Sequence, residues 1–223
     1  MATRSAVVLG ASGLVGGHLL RLLREDSAYS AAILLTRRAL GLEGGKVREV
    51  VVDFERAETF RPFVSVDDVF CCLGTTMKKA GSEDAFRKVD FDAPLAVARE
   101  ARAAGAGQYL IVTAVGADAK SRVFYSRVKG EIESALMALE FPRGLKIFRP
   151  SLLVGDRADR RPAERMAMAV MRATRPVFVG AMARYRAIDA SAVARAMLRV
   201  ATDGPSATAV ELYEGERLFG VSR

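Results

Sequence analysis

The stretch that decides the fold is Ala6-Val-Val-Leu-Gly-Ala-Ser-Gly-Leu-Val-Gly-Gly17, close to the first residue of a chain of 223. Its apolar start predicts a buried strand over residues 5–9, and residues 14–25 carry apolar side chains at helical spacing. Between them stand Gly10, Gly13 and Gly16, three residues apart. A strand, a glycine triplet and a helix in this order are typical of the turn that opens a Rossmann-type domain.

Each glycine of the triplet has a predicted task. Gly10 permits a tight turn, Gly13 lets the backbone approach a pyrophosphate, and Gly16 lets the helix pack closely on the strand. The helix N-terminus offers free N–H groups and a partial positive charge to the phosphates. The alternative is a glycine-rich turn without a ligand, which the further strand–helix units behind it disfavour. We therefore predict a dinucleotide cofactor here, held by the triplet and by Ser12, Leu14 and Val15.

The rest of the chain alternates short apolar runs with helical stretches. Strands are predicted over 32–35, 47–52, 69–73, 109–112 and 145–148, and helices over 82–104, with a bend at Pro94, and 123–139. Apolar strands separated by helices indicate a parallel sheet covered on both faces, and right-handed crossovers give the doubly wound order. The predicted fold class is α/β, a Rossmann-type doubly wound parallel sheet.

The last third of the chain is less regular. Helices are predicted over 162–173 and 191–201, and a strand over 207–213. We interpret residues 1–223 as one NAD(P)-binding domain, in which residues 151–223 contribute a small cap on the substrate side. In the first of these helices Met166, Met168 and Met171 have three interpretations: a substrate pocket, a homodimer face or plain core packing.

Composition limits the classes of function. The chain is 51% hydrophobic with a net charge of +8, and no apolar run reaches the roughly 18 residues of a membrane span. Its arginines are scattered without interleaved aromatic residues, so we predict no nucleic-acid binding. The glycines within residues 10–17 disfavour a signal peptide. His18, the only histidine, is expected near solvent or phosphate, and no metal site is predicted.

Cys71 and Cys72 are the only cysteines, and they are adjacent. Two neighbouring cysteines make no disulfide framework, which favours a reducing compartment, the cytoplasm. The pair has two interpretations, a redox-active dithiol or two small buried residues at a strand end, and we favour the second.

The second predicted strand ends in Leu35-Thr-Arg-Arg38. NAD-specific Rossmann domains place a carboxylate at this point to bond the ribose hydroxyls, and this chain has none there. Arg37 and Arg38 can instead clamp a 2′-phosphate through forked, charge-assisted hydrogen bonds, which favours NADPH over NADH. The alternative is a solvated arginine pair. Asp53, after the third predicted strand, either faces the adenine or only caps its own loop.

Tyr125 and Lys129 are four residues apart, on one face of the helix predicted over 123–139. A nearby ammonium favours the phenolate form of a tyrosine, so Tyr125 can pass a proton to or from a substrate oxygen while hydride moves at a nicotinamide. Lys129 can also hold the nicotinamide ribose. The spacing is common by chance, and its place just after the fifth predicted strand is what points to catalysis.

Eight motifs span most of the chain to about residue 160: residues 10–16, 36–38, 52–54, 70–76, 79–81, 115–118, 125–131 and 148–150. The most specific is Phe70-Cys-Cys-Leu-Gly-Thr-Thr76. Together they resemble the atypical branch of the short-chain dehydrogenase/reductase superfamily, and within it the Tat-interactive-protein type of oxidoreductase. The resemblance implies NADPH binding, a Rossmann core and a Tyr/Lys pair beside the nicotinamide. It implies further cofactor contacts at Phe54, Leu73, Gly74, Thr75, Pro150 and Ser151.

The chain departs from this superfamily at two positions. The superfamily pairs its tyrosine with a Ser or Thr at the end of the fifth strand, which polarises the substrate carbonyl. Here that stretch is Val112-Thr-Ala-Val115, so Thr113 is the only hydroxyl available and the third predicted catalytic residue, with Tyr125 and Lys129. Where the superfamily often has an asparagine in the long helix, this chain has Asp90.

Two functions fit these residues. The first is an NADPH-dependent oxidoreductase that reduces a small carbonyl compound, with Tyr125 as the proton donor. The second is a non-catalytic, NADPH-responsive binding protein, in which cofactor occupancy sets the conformation of the cap. The Tyr125–Lys129 pair favours the first, and the Thr113-Ala114 stretch leaves the second open.

Overall fold

The computed structural model describes residues 3–155, 186–204 and 208–222. Its strands are β1 (Arg4–Leu9), β2 (Tyr29–Thr36), β3 (Val47–Val51), β4 (Asp68–Cys71), β5 (Gln108–Val112), β6 (Leu145–Arg149), β7 (Leu153–Val154), β8 (Ile188–Asp189) and β9 (Val210–Glu214). The main sheet has the order β3-β2-β1-β4-β5-β6-β9, and all of its neighbouring strands are parallel. Strands β7 and β8 pair separately. The predicted doubly wound α/β fold is confirmed.

The helices cover both faces of this sheet. They are α1 (Leu14–Glu25), α2 (Met77–Ala80), α3 (Glu83–Arg87), α4 (Ala93–Ala103), α5 (Phe124–Met137), α6 (Ala190–Thr202) and α7 (Gly215–Val221). Alternate residues of β1 feed two cores because side chains on a strand point to opposite faces. Ala6 and Val8 belong to the core that α1 and α6 cover, and Val7 and Leu9 to the core that α4 and α5 cover.

The long helix predicted over 82–104 is present as one run of helical backbone, in which α3 continues through a π-helical turn, Lys88–Asp92, into α4. Pro94 is the second residue of α4, and Asp92 and Ala93 before it keep right-handed helical backbone angles. The bend predicted at Pro94 stays a prediction. The irregularity is the π turn before it, and that turn contains the buried carboxylate of Asp90.

Much of the described C-terminal part belongs to the core. Helix α6, predicted over 191–201, packs on α1, and β9, predicted over 207–213, is the last strand of the main sheet. Helix α7 was not predicted. The helix predicted over 162–173 and the three methionines in it lie outside the described residues. The cap over 151–223 therefore stays a prediction, but α6 and β9 are not the part that forms it.

The strand order reverses between β1 and β4. Neighbouring strands that lead to helices on opposite faces leave a crevice at their carboxyl ends, which is where ligands bind in open α/β sheets. The glycine loop follows β1, and residues 72–75 follow β4. The fold thus brings two of the predicted cofactor segments to one crevice.

Candidate functional site

The glycine loop needs its glycines at both ends. Gly10 has φ of +79°, and a Cβ there would lie 2.5 Å from the carbonyl oxygen of Cys72. A Cβ on Gly16 would lie 2.2 Å from the carbonyl oxygen of Gly10. Gly13 is exposed and caps α1, and a Cβ on it would meet the Gly10 oxygen at 3.1 Å. The loop is therefore a bare backbone cradle at the start of a helix, which fits a pyrophosphate.

A cavity of about 770 Å³ opens over this loop, and we call it the polar cavity. Predicted cofactor residues from three segments line it: Gly10, Ser12, Gly13, Leu14, Arg37, Leu73, Gly74 and Thr75. Four basic side chains also line it: His18, Arg21, Arg37 and Lys79. None of the described residues that line it is a carboxylate, so the cavity suits an anion.

A second cavity of about 710 Å³ lies next to the first, and we call it the apolar cavity. Val52, Phe54, Leu73 and Ala96 contribute to its apolar lining, with charged side chains such as Glu55 and Lys88 also present. The two cavities share Arg37, Leu73 and Val89. One apolar and one cationic compartment side by side match the two chemical parts of an adenosine phosphate.

Asp53 fits both of its interpretations. Its carboxylate accepts a hydrogen bond from the Glu55 N–H at 3.0 Å, so it caps its loop, and it also lines the apolar cavity.

Six predicted cofactor residues line neither cavity: Val15, Gly16, Arg38, Lys129, Pro150 and Ser151. The Val15 side chain is buried in the core, and Arg38 is exposed. The Pro150 carbonyl accepts a hydrogen bond from the Val115 N–H at 3.0 Å, and the Ser151 hydroxyl donates to the Arg186 carbonyl. Their contacts with a cofactor stay predictions.

Lys129 is held in a buried ion pair with Asp90. Its Nζ lies 2.7 Å from Asp90 Oδ1, and the other carboxylate oxygen accepts the Thr75 N–H at 2.9 Å. A Cβ on Gly74 would lie 3.9 Å from Lys129 Nζ, so the ammonium is next to the loop that lines the polar cavity. The contact between Asp90 Oδ1 and Lys129 Nζ is an ion pair that does not have the geometry of a hydrogen bond. The pair joins the loop after β4 to α5.

Tyr125 lies one helical turn before Lys129. Its ring packs against Phe86, with 5.6 Å between the ring centres, and its hydroxyl makes no hydrogen bond within the part of the chain that the structure describes. Gly130 allows α5 to pack closely on the backbone of Ala119, because a Cβ on Gly130 would lie 2.1 Å from the Ala119 nitrogen. Neither Tyr125 nor Lys129 lines the two cavities. Lys129 is next to Gly74, and Gly74 lines the polar cavity.

Thr113 is engaged elsewhere. Its hydroxyl donates a 2.6 Å hydrogen bond to Glu133, a buried carboxylate that also accepts from Arg149 Nε at 3.0 Å. The hydrogen bond that Arg149 donates to Glu133 raises the pKa of the Arg149 guanidinium, so this group stays charged. A hydroxyl polarises a carbonyl by donating its single proton, and that proton is already used here. The catalytic role of Thr113 stays a prediction.

Cys71 is buried in the core, whereas Cys72 is half-buried and lines the polar cavity. Burial raises the pKa of both the Cys71 and the Cys72 thiol, which keeps them protonated and unreactive. No group of His, Cys, Asp or Glu residues that could hold a metal is present in the described ranges. No helix in those ranges is long and apolar enough to cross a membrane.

The sequence analysis missed three groups at this site: Arg21, the Asp90–Lys129 contact and the Thr113–Glu133 hydrogen bond. Arg21 had a usable signal, because Leu14, Gly17, His18 and Arg21 follow helical spacing from the glycine loop and therefore share a face. The other two join residues far apart in sequence, and no local pattern marks such contacts.

No protein-family model matches the chain. Protein HTATIP2 of Rattus norvegicus is 36% identical over an alignment of 231 positions, which covers 100% of this chain and 91% of that protein. Protein FMP52-1, mitochondrial, of Scheffersomyces stipitis is 34% identical over 69% of each chain.

Solved structures of low sequence identity share the fold. MoeE5 in complex with UDP-glucose and NAD has a TM-score of 0.68 at 15% identity, covering 98% of this chain and 80% of that one. The Bordetella bronchiseptica enzyme WbmG in complex with NAD has a TM-score of 0.70 at 12% identity, covering 96% and 73%. The sequence relatives, the Rossmann sheet and the glycine cradle agree with one another, and the chain belongs to the HTATIP2 family of atypical short-chain dehydrogenases/reductases.

Proposed function

We propose that this protein is an NADPH-dependent oxidoreductase that reduces a small carbonyl compound, with Tyr125 as the proton donor. The observation that carries the proposal is the position of Lys129. Its buried ammonium lies beside Gly74, in the loop that borders the polar cavity, and Tyr125 precedes it by one turn of the same helix. A titratable pair next to a dinucleotide cradle is the arrangement that hydride transfer with proton transfer requires.

The preference for NADPH draws support from charge. Arg37 lies where the polar and apolar cavities meet, and the described residues of the polar cavity include basic side chains and no carboxylate. A ribose bound across this junction would present its 2′-position to Arg37, with Arg38 next in sequence. Structural neighbours such as MoeE5 were solved in complex with NAD. A nicotinamide dinucleotide is therefore a ligand of other proteins with this fold. For this chain we expect, in addition, that the dinucleotide carries the 2′-phosphate of NADPH.

In the proposed reaction, a nicotinamide cofactor held at the glycine loop would be the source of the hydride for the substrate carbonyl carbon. Tyr125 donates its phenolic proton to the carbonyl oxygen, because a half-buried hydroxyl with no hydrogen bond in the described ranges is free to meet a substrate. The Lys129 charge stabilises the phenolate that remains. Asp90 fixes Lys129 and, through the Thr75 N–H, the loop beside it.

The test is turnover in a panel of aldehydes, ketones and quinones with NADPH. Tyr125→Phe removes one oxygen and little volume, so NADPH affinity should hold while turnover falls by about 10²–10⁴, the usual contribution of a positioned acid. Lys129→Ala should lower turnover and also weaken NADPH binding, because Lys129 has two proposed roles. Full activity in Tyr125→Phe would contradict the mechanism.

The second candidate is a non-catalytic NADPH-responsive binding protein. The observation that favours it is the hydrogen bond from Thr113 to Glu133, which uses the one hydroxyl available at the end of β5. Tight NADPH binding without turnover of any panel compound would select this function. If Thr113 does assist, Thr113→Val should lower turnover by less than Tyr125→Phe does.

We also propose a cytoplasmic location, because the two cysteines of the chain are free and form no disulfide. The FMP52 relatives carry the word mitochondrial in their names. Fractionation of cells that express the full chain distinguishes the two compartments.

A further inference from the structure

We infer that Arg21, and not Arg38, is the second arginine that reads the 2′-phosphate of NADPH together with Arg37. The inference rests on the proposed cofactor site. It begins from the polar cavity, where Arg21 and Arg37 both line the wall and Arg38 does not. Arg37 comes from the end of β2 and Arg21 from the second turn of α1, so the two guanidinium groups reach the cavity from different elements.

One face of α1 is built to admit an anion. Leu14, Gly17, His18 and Arg21 line the polar cavity and repeat at intervals of three and four residues, the period of a helix. Gly17 leaves this face open in its middle, since a Cβ there would meet only the Ala11 carbonyl oxygen, at 3.5 Å. The first turn of α1 has no acidic residue, although acids are favoured there. The face thus offers space and positive charge together.

The Arg21 side chain is oriented by its neighbour. Arg21 Nη2 donates a 2.6 Å hydrogen bond to His18 Nδ1, which leaves the other guanidinium N–H groups for a ligand. A guanidinium presents a planar fork of donors that matches a phosphate.

Arg21 differs from other surface arginines by its place in the polar cavity. Arg56 pairs with Glu58 and Arg61 with Glu100, whereas Arg24 and Arg38, like Arg21, form no salt bridge with a described residue, and of these three only Arg21 lines the cavity. Within residues 3–155, 186–204 and 208–222, no carboxylate forms a salt bridge with Arg21, Arg37 or Lys79. Cations that converge on one cavity without counter-ions are a site for a multiply charged anion.

The test compares four alanine variants of the full chain by titration with NADPH and NADH. Arg21→Ala and Arg37→Ala should each weaken NADPH binding by about ten- to a hundredfold, the loss of one charge-assisted contact, and weaken NADH by less than about threefold. Arg38→Ala and Arg24→Ala are the matched controls. Arg38 is adjacent to Arg37, and Arg24 lies on α1 one turn past Arg21, where it donates to the Leu42 carbonyl. Both should bind NADPH within about threefold of wild type.

Competition with adenosine 2′,5′-bisphosphate and with 5′-AMP separates the two phosphate positions. Arg21→Ala should lose affinity for the bisphosphate and keep its affinity for 5′-AMP, and Arg21→Lys should recover part of the loss. Equal weakening of NADPH and NADH would assign Arg21 to the pyrophosphate and overturn the inference. So would a loss in Arg38→Ala with none in Arg21→Ala. A wild-type protein that binds neither cofactor would overturn the proposed function itself.

Discussion

The two ends of the main sheet each carry a buried carboxylate, and the two are built in opposite ways. At the amino-terminal end of β4, Asp68 is enclosed by donors: it accepts from the Tyr29 hydroxyl and the Gln108 amide and pairs with Arg4 and Arg143. At the carboxyl-terminal end, Asp90 has one cation, Lys129, and one backbone N–H, and a cavity beyond Gly74. The first cluster is closed, and the second has an open side.

This difference teaches how a buried charge relates to a site. Both carboxylates are at most 2% exposed, so burial does not separate them. Asp68 holds four segments of the fold together, and the described cavities do not reach it. The Asp90–Lys129 pair leaves its charge incompletely satisfied beside a cavity that a ligand can enter. Changes at the closed cluster should therefore affect stability, and changes at the open pair should affect binding and chemistry.

The largest effect on stability is expected from Asp68→Asn. The substitution keeps the shape but leaves two buried or half-buried guanidinium groups without their counter-charge. Breaking a buried ion pair in this way costs about 3–5 kcal/mol. Urea unfolding should report that loss, while the NADPH affinity of the folded variant stays within about threefold of wild type. Normal stability would contradict a structural role for the cluster.

Asp90→Asn makes the same chemical change at the open end and should cost less. The amide oxygen can still accept the Thr75 N–H, and only one cation loses its counter-charge here, whereas two lose it at Asp68, so we expect a stability loss of about 3 kcal/mol, the low end of the cost of breaking a buried ion pair. Turnover should fall about tenfold, equivalent to about 1.4 kcal/mol of transition-state stabilisation, because Lys129 loses its fixed position. If Asp90→Asn were as unstable as Asp68→Asn and its turnover per folded molecule were unchanged, both carboxylates would have a purely structural role, and the contrast between them would be wrong.

The pH dependence of stability gives the smallest expected signal. Burial, and then the charge of Asp68, raise the pKa of the Tyr29 hydroxyl above its ordinary value of 10.0. The folded protein therefore holds this proton more tightly than the unfolded chain does. The resulting stability is complete below pH 10 and is lost as the pH rises above it.

Tyr29→Phe removes that titration. Above pH 10, the slope of the unfolding free energy against pH should become shallower by on the order of 1 kcal/mol per pH unit. Tyr125→Phe is the control, and its slope should match that of wild type. Parallel alkaline profiles for Tyr29→Phe and wild type would rule out the Tyr29 contribution.

Local patterns predicted the part of this fold that local chemistry determines. Sequence patterns predicted all seven strands of the main sheet, and the inner strands were the clearest, since a parallel strand away from the sheet edge is buried on both faces. The π turn at Lys88–Asp92 was not predicted because its residues have ordinary helical character; it contains Asp90, whose carboxylate accepts the Thr75 N–H. Pro94 follows this turn inside the same helical run.

In the candidate site, too, local sequence patterns predicted some features, whereas contacts set by the packing of the whole fold were not predicted. The glycine loop is predicted from three glycines within seven consecutive residues, Gly10 to Gly16, and the structure contains the predicted turn, helix start and cavity. Arg38 was included because it follows Arg37, yet neighbours at the end of a strand point to opposite sides, and only Arg37 lines the cavities. The Thr113–Glu133 and Asp90–Lys129 contacts are set by how α5 packs on the sheet, which depends on the whole fold.

The central claim is that the crevice over the glycine loop binds NADPH, and a titration of wild type and Gly13→Val with NADPH tests it most directly. Gly13 is exposed with a φ of −80°, which valine tolerates, so the variant should fold with a similar melting temperature. Its branched side chain would occupy the place of the pyrophosphate. The account predicts saturable binding of NADPH to wild type, tighter than that of NADH, and none to Gly13→Val. A folded Gly13→Val that binds NADPH as wild type does would contradict it.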